Sequence, residues 1–154
     1  EHPTKPRIPS RLRNFMTVLY LVRGLPSSGK SSLVKRLKTI FHDHFEADMF
    51  FMSDRKYEFD ASKLSHAHKW CQDSAEQSIS YGIDTYVSNT FTTTSELKPY
   101  FEIAKKYGAK VQVIKVESNF EKNDHNVPQT TIDKMKGRFN DDLTSLFEML
   151  NDQV

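Results

Sequence analysis

The sequence predicts an α/β fold in which helices flank a mainly parallel central sheet, and three observations support this. Segments with strand and helix patterns alternate along the chain, as they do in parallel α/β proteins. Residues 17–22, Thr-Val-Leu-Tyr-Leu-Val, are apolar and β-branched without a polar face, which is typical of a central strand buried on both sides. A loop with two glycines follows this strand, and a helical spacing of Leu33, Val34, Leu37 and Ile40 follows the loop.

The loop, residues 24–31, reads Gly-Leu-Pro-Ser-Ser-Gly-Lys-Ser and matches the pattern G-x-x-x-x-G-K-[ST] of loops that bind nucleotide phosphates. Its glycines let backbone N–H groups turn toward the phosphates, Lys30 reaches the β- and γ-phosphates, and Ser31 offers its hydroxyl to Mg²⁺. The pattern therefore predicts a three-layer P-loop NTPase fold with ATP and Mg²⁺ as cofactors, and it leaves GTP open because no base-reading motif is visible. The predicted nucleotide-binding residues are Gly24, Pro26, Ser27, Ser28, Gly29, Lys30, Ser31 and Ser32.

Composition sets the class and the expected boundaries. The chain has 154 residues and 17.9 kDa, the size of one domain. Residues 1–15 hold three prolines and four basic residues and are expected to be a disordered leader or an expression remnant, with a single domain over residues 16–154. The other residues hold 18 basic and 19 acidic side chains, which does not indicate a broad nucleic-acid-binding face. One cysteine and the absence of a membrane-length apolar run predict a cytoplasmic protein without membrane contact.

Further elements are predicted from periodicity and from helix-ending glycines. They are a strand within residues 45–52, a helix over 62–81, a short strand at 85–87, a helix over 99–107, a strand over 110–116, and helices over 131–139 and 143–150. Phe41, Phe45, Phe50 and Phe139 fall on apolar faces and are expected to pack in the core.

Six ordered motifs lie at residues 23–31, 57–60, 67–70, 88–90, 96–100 and 125–128. Together they resemble the polynucleotide-kinase-like P-loop kinases, above all the short phage and bacterial proteins usually labelled AAA-family ATP-binding proteins. The resemblance extends from about residue 18 to residue 142. It implies an ATP-dependent kinase that transfers the γ-phosphate to a hydroxyl acceptor, with a nucleic-acid 5′-hydroxyl as the acceptor that the family suggests.

The resemblance also implies a catalytic base. In true 5′-hydroxyl polynucleotide kinases an aspartate just after the second strand accepts the proton of the attacking hydroxyl, and Asp48 occupies that position here. An ordinary capping role for Asp48 stays open. Two neighbours depart from the family: Met49 replaces a second acid, and Phe51 stands where nucleic-acid-specific kinases carry an arginine.

The third-strand motif departs as well. Many relatives read Asp-Asn-Thr-Asn where this chain has Ser88-Asn89-Thr90-Phe91, so metal binding is expected to depend on Ser31, the phosphates and Asp48. Asn89 and Thr90 are candidates for contacting the substrate or orienting Asp48, with ordinary turn chemistry as the alternative. Phe91 is a candidate for stacking on a base or substrate ring.

Residues 118–130 resemble the family's lid, which closes over the triphosphate and brings a cation to the transferring group. Lys122, His125 and Arg138 are the candidates, and Arg138 is preferred as catalytic cation because a guanidinium fits phosphoryl oxygens. A solvated surface charge is the alternative for both cations. Two other functions also stay open: a non-catalytic ATP-binding switch or adaptor, favoured by the missing strand-end acid, and a kinase for a small-molecule alcohol. The sequence leaves the protein partners unknown.

Overall fold

The computed structural model describes residues 17–53, 56–117 and 127–151 of the chain. In this part, the strands are β1 (Val18–Arg23), β2 (Asp43–Phe45), β3 (Met52–Ser53), β4 (Lys56–Tyr57), β5 (Thr85–Asn89) and β6 (Lys110–Lys115). The helices are α1 (Lys30–Leu37), α2 (Leu64–Ser80), α3 (Thr94–Tyr107), α4 (Gln129–Gly137) and α5 (Thr144–Asn151), with 3₁₀ turns at Ala47–Phe51 and Ala61–Lys63.

The main sheet is parallel, with the strand order β2-β5-β1-β6, and β3 and β4 form a separate antiparallel pair. Side chains of β1 alternate between the two faces of the sheet. Leu19 and Leu21 pack into the larger core with α2, α3 and α5, whereas Val22 packs against Val34 of α1 on the opposite face. Helices therefore cover both faces, and the predicted three-layer α/β fold with a parallel sheet is confirmed.

The larger core is built from apolar stripes that the sequence makes visible. Cys71, Ala75 and Ile79 of α2 are buried in it, and so are Leu97 and Phe101 of α3. Full burial of a large apolar side chain of this kind contributes about 1.5–3 kcal/mol. These helices therefore hold the carboxyl edge of the sheet in a fixed frame.

Helix α3 begins earlier than expected. Thr93 caps it, and the Glu96 side chain accepts from the Thr93 N–H, so a capping box sets the start at Thr94 rather than at Pro99. Pro99 lies inside the helix, where it removes one backbone hydrogen bond. The predicted end is confirmed, because Gly108 takes the left-handed conformation with φ 69°.

Three other predictions were wrong. The second strand is Asp43–Phe45, and a 3₁₀ turn occupies most of residues 45–52, because the strand is polar and is defined by pairing with β5. Helix α1 ends at Leu37, so Ile40 lies beyond it with 82% of its surface exposed. Phe41 is also 70% exposed and does not pack in the core.

The remaining elements lie close to their predicted bounds, and Leu143, Phe147 and Leu150 of the last predicted helix pack against the larger core. The expectations for residues 1–15 and for most of the lid, residues 118–126, concern positions outside the described residues. Within residues 17–53, 56–117 and 127–151, no helix is long and apolar enough to cross a membrane.

Candidate functional site

The loop at residues 24–31 joins β1 to α1 at the carboxyl edge of the sheet, where ligands of such sheets bind. Ser27 and Gly29 have left-handed φ angles of 61° and 99°, which turn the chain sharply before Lys30. A Cβ built on Gly29 meets nothing within 4 Å, so the space in front of this position is open. Gly24, in contrast, is enclosed: an added Cβ would lie 2.6 Å from Ser28 Oγ and from a backbone oxygen of Val116.

Lys30 is the positive group of the loop. Its Nζ donates to the carbonyl oxygens of Gly24, 3.0 Å away, and Leu25, 2.9 Å away. Burial lowers its pKa to about 8, while the negative charges of Glu46 and Asp48 partly offset this effect. Among the ion pairs of the described residues, none involves Lys30. A half-buried cation held by carbonyl groups alone beside open space fits an anionic ligand such as phosphate.

A chain of hydrogen bonds runs next to Ser31. Ser31 Oγ donates to Glu46 Oε2 at 2.7 Å, and Ser88 Oγ donates to the same oxygen at 3.0 Å. His44 Nε2 lies 2.7 Å from Ser88 Oγ. The sequence interpretation missed Glu46, because its contact with Ser88 depends on the pairing of β2 with β5, which the sequence does not show.

Asp48 lies in the 3₁₀ turn after β2, with its side chain exposed. Tyr57 of β4 donates its hydroxyl to Asp48 Oδ1 at 3.1 Å, and burial together with this carboxylate raises the pKa of Tyr57 to about 12. The negative charge of Asp48 also contributes to raising the pKa of Lys30, against the larger effect of burial. Asn89 Oδ1 accepts from the Ala47 N–H at 2.9 Å and so holds the start of this turn against β5.

The other predicted residues of the third-strand motif have backbone or packing contacts. Thr90 O accepts from the Gly24 N–H at 3.2 Å and so joins this segment to the phosphate loop. Phe91 has φ 48° and is only 3% exposed, with its ring edge-on to Tyr100 at 5.3 Å. Stacking of Phe91 on a substrate ring does not fit this burial, because the left-handed turn directs the ring into the core.

Two arginines lie beside the loop after β5. Arg23 is fully buried, donates from Nε and Nη2 to Phe91 O at 3.0 and 2.6 Å, and lies 4.2 Å from the ring centre of Phe139. Arg138 is exposed and donates from Nε to Thr92 Oγ1 at 3.4 Å. Arg138 therefore lies by the β5–α3 loop, with no described contact to Lys30. Lys122 and His125 are outside the described residues.

Exposed aromatic side chains adjoin Asp48. Tyr57 and Phe59 are 48% and 53% exposed, and their rings are nearly parallel, with 17° between planes and 6.5 Å between centres. Buried Phe51 contacts both rings from the inner side. The sequence interpretation used residues 57–60 only as a family motif and did not identify this surface.

The phosphate loop between β1 and α1, on a parallel sheet with helices on both faces, defines a P-loop nucleotide-binding protein of the kinase-like type. The chain belongs to the family described as "AAA domain", whose model matches residues 19–141.

Known proteins are similar to this chain in sequence or in fold. Human NEDD4-binding protein 2 is 35% identical over 100 residues, which are 61% of this chain and 6% of that protein, so the chain spans a small part of this relative. A chain of the Pnkp1/Rnl/Hen1 RNA repair complex has a TM-score of 0.65 at 14% identity, covering 80% of this chain and 44% of that one. A mutant of the APS kinase CysC of Mycobacterium tuberculosis has a TM-score of 0.52 at 17% identity, covering 94% and 99%.

Proposed function

We propose that the protein is an ATP-dependent kinase that transfers the γ-phosphoryl group to the 5′-hydroxyl of a nucleic acid. The observation that carries the proposal is the position of Asp48, which lies in the turn directly after β2 with its carboxylate in contact with the exposed Tyr57. We infer that this carboxylate lies between the phosphates that Lys30 would bind and the acceptor that the aromatic surface would hold.

The chemistry follows from these positions. Asp48 accepts the proton of the acceptor hydroxyl as its oxygen forms a bond to the γ-phosphorus, and the bond from that phosphorus to the β–γ bridging oxygen breaks, releasing a nucleoside diphosphate. Lys30 exchanges its two carbonyl partners for phosphate oxygens and stabilises the charge that develops there. Arg138 is proposed as a further cation, brought in by movement of the segment that follows α4.

The donor groups of the site fit Mg²⁺, which prefers oxygen ligands and keeps several waters. The Ser31 hydroxyl would hold the ion together with phosphate oxygens. When bound, Mg²⁺ supplies neutralisation of the charge on the β- and γ-phosphates. The protein groups orient the reactants around it.

The nucleic-acid acceptor is supported by the aromatic surface. Half-exposed, nearly parallel rings are suited to stacking on nucleobases, and this contact does not require a broad basic face. The fold likeness to a chain from an RNA repair complex agrees with this acceptor class. A small alcohol without a flat ring would leave the surface unused.

Transfer of label from γ-labelled ATP tests the proposal. The protein is incubated with Mg²⁺ and, in turn, 5′-hydroxyl DNA, 5′-hydroxyl RNA and a panel of small alcohols, with GTP as a second donor. Asp48→Asn should lower transfer by about 10²- to 10⁴-fold while ATP affinity stays nearly unchanged, because the substitution removes the proton acceptor but no group of the phosphate loop. Asp73→Asn is the matched control, since Asp73 is an exposed carboxylate on α2 paired with Lys69.

The result separates the candidate functions. Label on 5′-hydroxyl ends that disappears in Asp48→Asn supports the proposal. Label only on small alcohols replaces the acceptor class, and nucleotide binding without any transfer supports a switch or adaptor. Transfer that survives in Asp48→Asn would show that the base is another residue.

A further inference from the structure

Glu46 lies where two neighbouring strands end. Phe45, the last residue of β2, pairs with Val87 of β5, so the residues that follow them, Glu46 and Ser88, come together near the carboxyl edge of the sheet. The Ser88 hydroxyl donates to Glu46 Oε2 at 3.0 Å. Strand pairing therefore places the carboxylate of Glu46 at the end of β5, although it belongs to the loop after β2.

The same carboxylate oxygen contacts the phosphate loop. Ser31 Oγ donates to Glu46 Oε2 at 2.7 Å, and this hydroxyl is the one that phosphate loops of this pattern offer to Mg²⁺. In P-loop NTPases an acid at a neighbouring strand end also helps to hold the ion. Here Ser88 and Asn89 end β5 without charge, and Glu46 is the carboxylate that touches both Ser31 and this strand end.

We propose that Glu46 is the carboxylate that positions Mg²⁺ beside Ser31, in place of an acid at residue 88. Mg²⁺ sites of this kind need only one or two carboxylates together with phosphate oxygens. The inference rests on the proposed function only as far as triphosphate binding, and it is independent of the acceptor.

His44 and Ser88 orient this carboxylate. Ser88 has one hydroxyl proton and donates it to Glu46, so the 2.7 Å contact with His44 is a donation from the imidazole Nε2–H to Ser88 Oγ. The chain from His44 through Ser88 fixes one oxygen of Glu46 toward Ser31. Such supporting hydrogen bonds hold metal-binding side chains in place.

The test measures how Mg²⁺ changes nucleotide affinity, without any acceptor. Binding of a non-hydrolysable ATP analogue is titrated by calorimetry in Mg²⁺ and in EDTA. In Mg²⁺, Glu46→Gln should lower the affinity for the analogue by about 10- to 100-fold, because a group that positions the ion is lost. In EDTA, the affinity should stay the same or improve, because a negative charge near the phosphates is removed. Glu58→Gln, at an exposed carboxylate just after β4, should behave like the wild type.

A second variant distinguishes loss of the metal-binding carboxylate from a general loss of folding. Adding Ser88→Asp to Glu46→Gln restores a carboxylate at the same strand end and should recover the Mg²⁺ enhancement. The Mn²⁺ EPR spectrum of the protein with the analogue should be perturbed in Glu46→Gln and return toward the wild type in the double variant. An unchanged Mg²⁺ enhancement in Glu46→Gln, or an equal loss of affinity in Mg²⁺ and in EDTA, would overturn the proposal. A protein that binds Mg²⁺-nucleotide through Glu46 but transfers no phosphate refutes only the kinase assignment.

Discussion

Raising the pH from about 7.5 to about 9.5 should weaken nucleotide binding, because Lys30 loses its proton in the free protein. Its pKa is lowered to about 8 by burial, against opposing contributions from Glu46 and Asp48. The Nζ group donates to two loop carbonyls and lies beside open space. A bound triphosphate adds several negative charges at this space and should raise the pKa of Lys30 well above 9.5. Binding at high pH must therefore take up a proton.

The magnitude follows from this shift. With a free-state pKa of about 8, roughly three quarters of Lys30 is protonated at pH 7.5 and about 3% at pH 9.5, so affinity should fall about 25-fold over the interval. Proton uptake on binding should be about 0.9 at pH 9. Terminal phosphates ionise near pH 6 and do not contribute. Two other groups that titrate at alkaline pH have raised pKa values. Burial raises the pKa of the Cys71 thiol above its ordinary value of 9.0, and burial together with the Asp48 carboxylate raises the pKa of Tyr57 to about 12.

Calorimetry in two buffers with different ionisation enthalpies measures both quantities. Lys30→Met is the control, because it should bind weakly at every pH and take up no proton through this residue. Affinity of the wild type that stays constant between pH 7.5 and 9.5 would refute the assignment of Lys30 as a half-buried cation with a lowered pKa. The effect of pH on folding stability has the opposite sign to its effect on nucleotide affinity. Between about pH 8 and 10.5, Lys30 binds more protons in the unfolded chain than in the folded free protein, so it makes the free energy of unfolding rise with pH.

Three further substitutions test the frame and the acceptor surface. Gly24→Ala should lose nucleotide binding and about 1–3 kcal/mol of the free energy of unfolding, because the added Cβ would lie 2.6 Å from two oxygens. Gly137→Ala is the control, since an added Cβ there meets nothing within 4 Å, and it should keep both properties. Calorimetry measures the binding and urea unfolding measures the stability. Arg23→Met should lower the free energy of unfolding in urea by about 1–3 kcal/mol by leaving the carbonyl oxygens of Phe91 and Thr92 without this donor, and a loss well under about 1 kcal/mol would contradict the reasoning. Phe59→Ala should raise the KM for a 5′-hydroxyl oligonucleotide about 5- to 150-fold in steady-state kinetics; an equal rise in the KM for ATP would count against a stacking surface.

The phosphate loop and the general fold could be predicted because their signals are local. The spacing of Gly24, Gly29, Lys30 and Ser31 reflects the steric needs of one ligand, and the apolar run of β1 reflects burial on both faces. The predicted ends of helices and strands were wrong where another local signal set the boundary. The capping box at Thr93 sets the start of α3 despite the proline that follows.

The role of Glu46 could not be predicted in the same way, because it depends on the register between β2 and β5. Asp43 and His44 are polar, so periodicity gave no sign of a strand there, and the predicted strand fell several residues too late. Without the pairing of Phe45 with Val87, nothing in the sequence places Glu46 beside Ser88. Phe91 illustrates the same limit, since the sequence shows neither its left-handed backbone conformation nor its burial.

The short segment after β2 connects the two halves of the proposed chemistry. At Glu46 the backbone is extended, with φ −141° and ψ 148°, and the 3₁₀ turn begins one residue later. This change separates the two acids: Glu46 contacts Ser31, and Asp48 contacts Tyr57. The Asn89 amide oxygen, 2.9 Å from the Ala47 nitrogen, holds the residue between them. The contact with β5 thus fixes the backbone between the proposed metal-binding residue, Glu46, and the proposed base, Asp48. In this arrangement β5 holds the two acids in place without supplying a charged residue of its own.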